Sequence, residues 1–330
     1  MNDRAVSILE QYDFVVERTW KGRGSILFET KEGIFILKEY KGTLQRLSFI
    51  AEALKRIRGN GYPDIEEIIP NKEGENACID FDGTTYIVKS YFNAKECNIK
   101  EKTECQKSIR ALARLHKAME GAAENSLLAP KQLPLLWEIE KHNAELHRVR
   151  RYLKEKGQKS EFELFLQQHY DFFREKAVSV TEKLYQEDLD GWLSSILHDN
   201  TMCHGDYQYH NILIEPEHCN IINFEKISVD NPVKDVYLFV RKLLEKNNWD
   251  VSLGKELLST YAEERTLREE DFLQLKYRFS YPEKFWKIVN FYYNSPKAWI
   301  SSKNGEKLQK LLEQETAKNR LIQELFEKHW

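Results

Sequence analysis

The chain has 330 residues, 41% hydrophobic and 31% charged, a composition ordinary for a globular protein and long enough for two lobes with cores of their own. Fifty basic against 53 acidic residues leave a net charge of −3, which argues against nucleic acid as the main partner. No run approaches the roughly 20 apolar residues that span a bilayer, and Met1–Glu10 lacks the apolar core of a signal peptide. The expectation is a chain made and kept on the cytosolic side of a membrane.

Residues Arg4–Tyr12 read as a short helix, and a β-rich region follows. Strands are expected at Ile26–Thr30 and Ile34–Tyr40, joined by turns at Lys21-Gly22-Arg23-Gly24-Ser25 and Lys31-Glu32-Gly33. Gly22 and Gly24 either let backbone amides approach a nucleotide phosphate or serve an ordinary tight turn. In the second strand Ile34, Ile36 and Lys38 share a face, so Lys38 emerges from a covered surface. There it either meets nucleotide phosphates or snorkels at a strand end.

Thr43–Arg58 reads as a helix with Leu47, Ile50, Leu54 and Ile57 in one stripe, stopped by Gly59-Asn60-Gly61-Tyr62-Pro63. Glu52 is its only acid and the candidate partner for Lys38, although it lies off the apolar stripe, where a solvated acid also sits. Strands around Ala77–Ile79 and Thr85–Tyr91, with Asp82-Gly83 as a turn, complete the β-rich region. The pattern turns helical after Phe92, which sets the expected lobe boundary: 1–92 and 93–330.

Beyond Ile99 the chain is nearly all helix. His116 shares a stripe with Ile109, Leu112 and Met119 and reads as a hydrogen-bonded core histidine. Phe162, Phe165, Leu166, Phe172 and Phe173 mark a long amphipathic helix reaching about Leu184, and Pro232 opens another. Tyr281, Phe285, Trp286, Phe291, Tyr292, Tyr293 and Trp299 read as core packing, or as a box for a quaternary amine. The five cysteines are odd in number and form no Cys-x-x-Cys pair, so they read as reduced, mostly buried thiols.

One stretch interrupts the helices: Cys203-His204-Gly205-Asp206-Tyr207-Gln208-Tyr209-His210-Asn211, followed by apolar residues and then Ile221-Ile222-Asn223-Phe224-Glu225. An acid five residues before an amide, then strand, turn and strand, suits phosphoryl transfer. The acid orients or deprotonates a hydroxyl, and the amide holds Mg²⁺. The next strand should end in a second metal-binding carboxylate, and this chain has Asn223 there.

The His204-Gly205-Asp206-x-x-x-x-Asn211 loop resembles the aminoglycoside phosphotransferase and choline kinase family, which shares the protein-kinase-like fold. Further segments make the chain similar to the CotS family of spore-coat proteins. They are Ile222–Lys226, Val236–Lys242, Asn248-Trp249-Asp250, Tyr281–Lys287 and Tyr292–Lys297. The resemblance implies an α+β, bilobal fold: a small antiparallel β N-lobe with one helix, a hinge near Lys89–Asn93, and a larger, mostly helical C-lobe carrying the catalytic loop 203–214. It implies Asp206 as catalytic base, Asn211 as a Mg²⁺ ligand, and His204 and Asp235 as braces of the loop. ATP would be met by Lys38, Gly22, Gly24, Val88 and Ser90, with Glu52 beside Lys38.

Relatives with activity carry Asp where Asn223 stands. An amide oxygen adds no negative charge, and hard cations favour carboxylates. Glu225, taken as lying on the same strand face, is the candidate to complete the metal site with Asn211 and Asn223. Two functions follow from the resemblance. One is an ATP- and Mg²⁺-dependent transfer of phosphate to a hydroxyl of a small molecule or saccharide. The other is a pseudokinase serving as a structural or assembly component among other spore-coat proteins. Either is made in the mother cell cytoplasm and deposited on the spore coat.

Overall fold

The structure is a computed structural model that describes residues 7–22, 25–122, 129–295 and 303–326. The chain divides into two compact units, Met1–Ser126 with Asn200–Ser228, and Leu127–Asp199 with Val229–Trp330.

The first unit opens with an antiparallel sheet of β1 (Arg18–Gly22), β2 (Ser25–Thr30), β3 (Gly33–Glu39), β4 (Ile68–Ile69), β5 (Cys78–Ile79) and β6 (Thr85–Ser90). Strand order is β1-β2-β3-β6-β4, with β5 also on β6. Gly83 turns the chain between β5 and β6 with a φ of 82°, a conformation that favours glycine. Period-two alternation then sorts the side chains. Phe28, Leu37 and Val88 face a core with Ile8, Leu9 and Tyr12, where Phe14, Phe28 and Phe35 rings lie 4.6–5.6 Å apart. The other face carries Lys38, opposite Ile87, and Lys89, opposite Ile36. The two lysines are therefore diagonal neighbours on one face.

Helix α1 (Leu44–Gly59) starts at Thr43, whose hydroxyl caps the Arg46 amide at 3.2 Å, and buries the expected Leu47, Ile50, Leu54 and Ile57. After β7 (Lys95–Glu96) comes α2 (Lys102–Met119), with His116 fully buried on its apolar face. The chain re-enters this unit at β8 (Met202–Cys203) and forms a hairpin of β9 (Ile212–Ile214) and β10 (Cys219–Ile221), with β7 on the outer side of β9. A short parallel bridge joins Ile65 to Ile221, with Glu66 N–H donating to the Ile221 carbonyl at 3.1 Å and Ile221 N–H to that of Asp64 at 2.9 Å. This link fixes Glu66 beside the end of β10.

The second unit is helical: α3 (Pro134–Glu155), α4 (Glu161–Leu184), α5 (Leu189–His198), α6 (Val233–Lys246), α7 (Val251–Glu264), α8 (Glu269–Ser280), α9 (Glu283–Asn294) and α10 (Lys303–Phe326). Ser160 and Glu163 form a capping box at the start of α4. Its centre is aromatic, with Phe285 stacked on Phe173 at 4.5 Å. Trp286 stacks on His142 at 3.5 Å and donates to Glu145 at 2.7 Å, and the Tyr281 hydroxyl donates to Asn143 at 2.9 Å. These members of the aromatic set are engaged in packing, while Trp299 lies outside the described residues. The mixed α+β architecture is the one the sequence led us to expect. All five cysteines are buried, and none is joined in a disulfide.

Candidate functional site

The segment after β8 turns sharply at Gly205, whose φ is 78°. A side chain there would run into the Lys226 backbone carbonyl, so the loop needs glycine twice over. His204 is fully buried. Its Nδ1 accepts from the Asp206 amide at 3.1 Å, which leaves Nε2 to donate to the Ile222 carbonyl at 3.0 Å. The neutral ring with its proton on Nε2 thus ties the loop to the end of β10. Asn211 Nδ2 donates to the Asp206 carbonyl at 2.8 Å and closes the loop from the other side. The Asp206 carboxylate accepts from Gln208 at 2.6 Å and from Lys226 at 3.0 Å.

Asn223 takes the left-handed conformation, φ 67° and ψ 59°, which asparagine tolerates better than most residues. The strand has already ended at Ile221, and Phe224–Lys226 forms a 3-10 turn. Glu225 therefore does not share a strand face with Asn223, which corrects the expectation from alternation. Asn223 Nδ2 donates to Asn211 Oδ1 at 2.7 Å. The orientation is set by the network: Asn211 already uses its amide nitrogen on Asp206, so its oxygen faces Asn223 and requires a donor. An aspartate at 223 would place two acceptors face to face, the arrangement that a cation resolves.

Glu225 belongs to a second group of charges. Its Oε1 lies 2.9 Å from Lys38 Nζ and 3.2 Å from Lys89 Nζ. Lys89 is 3% exposed and pairs at 2.8 Å with Glu66, itself 3% exposed. The other Glu66 oxygen accepts from the Phe224 amide at 3.0 Å. Burial alone would raise the Glu225 carboxyl, but the Lys89 and Lys38 ammoniums bring it down to about 2. Burial disfavours the Lys89 ammonium, yet Glu66 and Glu225 outweigh it and hold its pKa above the usual lysine value. Arg46, from α1, donates to the carbonyls of Glu225 and Ile227 and pins this turn.

Several expected site residues stand elsewhere. Glu52 is exposed and pairs with Arg56 one helical turn on, so Lys38 meets Glu225 and not Glu52. Val88 is turned into the core of the sheet, which removes its side chain from any nucleotide contact. Ser90 is committed to the sheet edge, accepting from the Glu67 amide at 2.9 Å and donating its own N–H to the Glu67 carbonyl at 3.0 Å. Gly22 closes the β1–β2 hairpin where a side chain would meet Leu27, and Gly24 lies outside the described residues. Asp235 is buried in the first turn of α6, in the second unit. Lys89, Glu66, Arg46 and Lys226 escaped the sequence reading. Only Lys89 had a local signal, the same apolar alternation that singled out Lys38.

These residues do not fit a resident Mg²⁺. The two amides at the expected metal position bond to each other, and the carboxylate that might assist them is held by two ammoniums. Magnesium demands octahedral oxygen ligands and favours carboxylates.

A β-sheet unit with a sheet lysine, an Asp–Asn loop and a following hairpin defines a kinase-like phosphotransferase fold, and solved structures agree. An aminoglycoside phosphotransferase from Alicyclobacillus acidocaldarius subsp. acidocaldarius DSM 446 matches with a TM-score of 0.82 at 16% identity, over 97% of this chain and 94% of that one. Spectinomycin phosphotransferase in its AMP complex matches with 0.63 at 12%, over 99% of each chain. Choline kinase from Cryptosporidium parvum Iowa II matches with 0.58 at 14%, over 94% of this chain and 90% of that one. At such identities the likeness establishes the fold. The family model described as "Spore coat putative kinase YutH" matches residues 5–325, and the chain belongs to that family. It is a CotS-like spore-coat protein family, as the motifs of the C-terminal half led us to expect. No curated protein matches the chain in sequence.

Proposed function

We propose that this chain serves the spore coat as a pseudokinase, a kinase-fold binding and assembly component that does not sustain Mg²⁺-assisted phosphoryl transfer. The observation that carries this reading is the 2.7 Å hydrogen bond from Asn223 Nδ2 to Asn211 Oδ1. It satisfies internally the oxygen that a metal would otherwise use. Charge balance supports the same reading: Lys38, Lys89 and Lys226 face Glu66, Glu225 and Asp206, three ammoniums for three carboxylates with no added cation.

In this proposal residues 1–92 form the nucleotide-facing lobe and 93–330 the larger lobe, with His204 bracing the catalytic loop. Lys38 is the partly exposed member of the lysine pair and the one that phosphates would reach. The partners are other spore-coat proteins and the site of action is the coat, after synthesis in the mother cell. The test is genetic and enzymatic together. Spores carrying Asp206→Asn should assemble the coat like wild type, and purified wild type should hydrolyse ATP no faster than the variant. Loss of the wild-type coat phenotype in Asp206→Asn spores would overturn the proposal.

A second reading rests on a different observation. The Asp206 carboxylate is held in place by Gln208, and its ammonium partner, Lys226, has a side chain 65% exposed that is free to swing away. Asp206 then stands as a base for the hydroxyl of a small molecule or saccharide, with ATP as donor. ATP-dependent phosphorylation of such an acceptor, abolished by Asp206→Asn, is the result that would favour it.

A further inference from the structure

A lysine-lined cleft lies within the helical unit, built from residues other than those of the Asp206–Asn223 site. It encloses about 160 Å³ among α6, α9 and α10. Five ammonium-bearing side chains line it: Lys242 and Lys246 from α6, Lys284 from α9, and Lys307 and Lys310 from α10. The lining carboxylate, Glu245, is already paired with Arg241 and lies 3.5 Å from Lys284. Among the described residues, no carboxylate lies within ion-pair distance (4 Å) of Lys242, Lys246 or Lys310. Buried Trp249 and Leu311 contribute apolar wall.

Such crowding costs free energy. Burial lowers the pKa of Lys242, and neighbouring Lys284 lowers it further, against a smaller pull from Glu245, with Arg241 and Lys246 adding to the fall. The chain as a whole carries a net charge of −3, so five lysines in one cleft do not follow from composition. Helix dipoles explain one of them. Lys246 stands in the last turn of α6, where a cation is favoured, but Lys284 stands in the first turn of α9, where it is not. An anion in the cleft relieves each of these penalties at once.

We propose that this cleft is a binding site for a compact polyanion of the diphosphate type, separate from the Asp206–Asn223 site. Neighbouring ammoniums grip adjacent phosphoryl groups, and the Trp249 side offers an apolar contact to whatever carries them. The probe is inorganic pyrophosphate, titrated calorimetrically into the full chain at low and at physiological salt, with ADP as a second arm. Saturable 1:1 binding that weakens with salt is expected. The Lys242→Gln/Lys310→Gln variant should lose about tenfold or more in affinity, and Lys55→Gln, at an exposed position of α1 outside both sites, should lose none.

Tighter binding of ADP than of pyrophosphate would support a diphosphate-bearing nucleotide as the ligand; equal binding would support the diphosphate group alone. Failure of pyrophosphate to saturate the protein at millimolar concentration and low salt overturns the proposal. So does binding that survives in the double variant and disappears in Lys38→Gln. Because these substitutions remove repulsion, the variant should melt no lower than wild type. If the double variant melts lower, the single Lys242→Gln variant carries the same test. The result is independent of the pseudokinase reading, which is decided at Asp206 and Asn223.

Discussion

Two regions of this protein concentrate lysines, and they treat the charge in opposite ways. Around the Asp206–Asn211 loop, Lys38, Lys89 and Lys226 each meet a carboxylate within 3.2 Å. In the helical cleft, five lysines share one carboxylate that is already engaged. In the first region Lys38 and Lys89 hold structure: their ammoniums tie the sheet to Glu66 and to the turn that carries Glu225. In the second it creates an unbalanced field that a ligand would neutralise. Substitution should therefore be costly in one region and nearly free in the other.

The largest effect is expected at Lys89. Lys89→Met leaves Glu66 buried without its ammonium, and breaking such a pair typically destabilises by about 3–5 kcal/mol. Urea unfolding of the variant measures this, and adding Glu66→Gln should recover part of the loss, because the stranded charge goes with it. An equal loss in the double variant would mean that the two residues contribute separately.

Acid titration sharpens the same point. The Glu225 carboxyl lies at about 2 in the folded chain against 4.5 ordinarily. A folded-state pKa depressed in this way contributes stability that is complete above about 4.5 and drains away as the pH falls toward 2, on the order of 2–3 kcal/mol in all. Glu225→Gln should flatten the fall of stability between pH 5 and 2. An unchanged slope would place the acid-sensitive proton elsewhere. The smallest effect is expected in the cleft, where Lys242→Gln should leave stability unchanged or raise it by no more than about 0.5 kcal/mol in the absence of anion. A loss as large as that at Lys89 would erase the contrast between the regions.

Much of this was legible in the sequence because it is local. Strand alternation exposed Lys38, the stripe of Leu47, Ile50, Leu54 and Ile57 gave α1, and the Asp206–Asn211 spacing gave the loop between its hairpin and β8. The missing parts are joined across the chain. Lys38 meets Glu225 over a separation of 187 residues, and no local pattern ranks that pairing above a nearby acid such as Glu52. Glu66 is placed by a two-bond link to β10 that leaves no periodic trace. The left-handed turn at Asn223 was equally hidden, and it directs Glu225 toward the lysines instead of along the strand.

Asn223 carries the central claim, that an amide hydrogen bond closes the position a metal would take. The direct measurement is the thermal midpoint of wild type and Asn223→Asp in ATP with rising Mg²⁺. Without metal, the aspartate variant should be less stable by about 1–3 kcal/mol, since two acceptors now face each other. Added Mg²⁺ should raise its midpoint by at least about 2 °C and leave that of wild type unmoved. A wild-type midpoint that climbs with Mg²⁺ as far as the variant's would contradict the account.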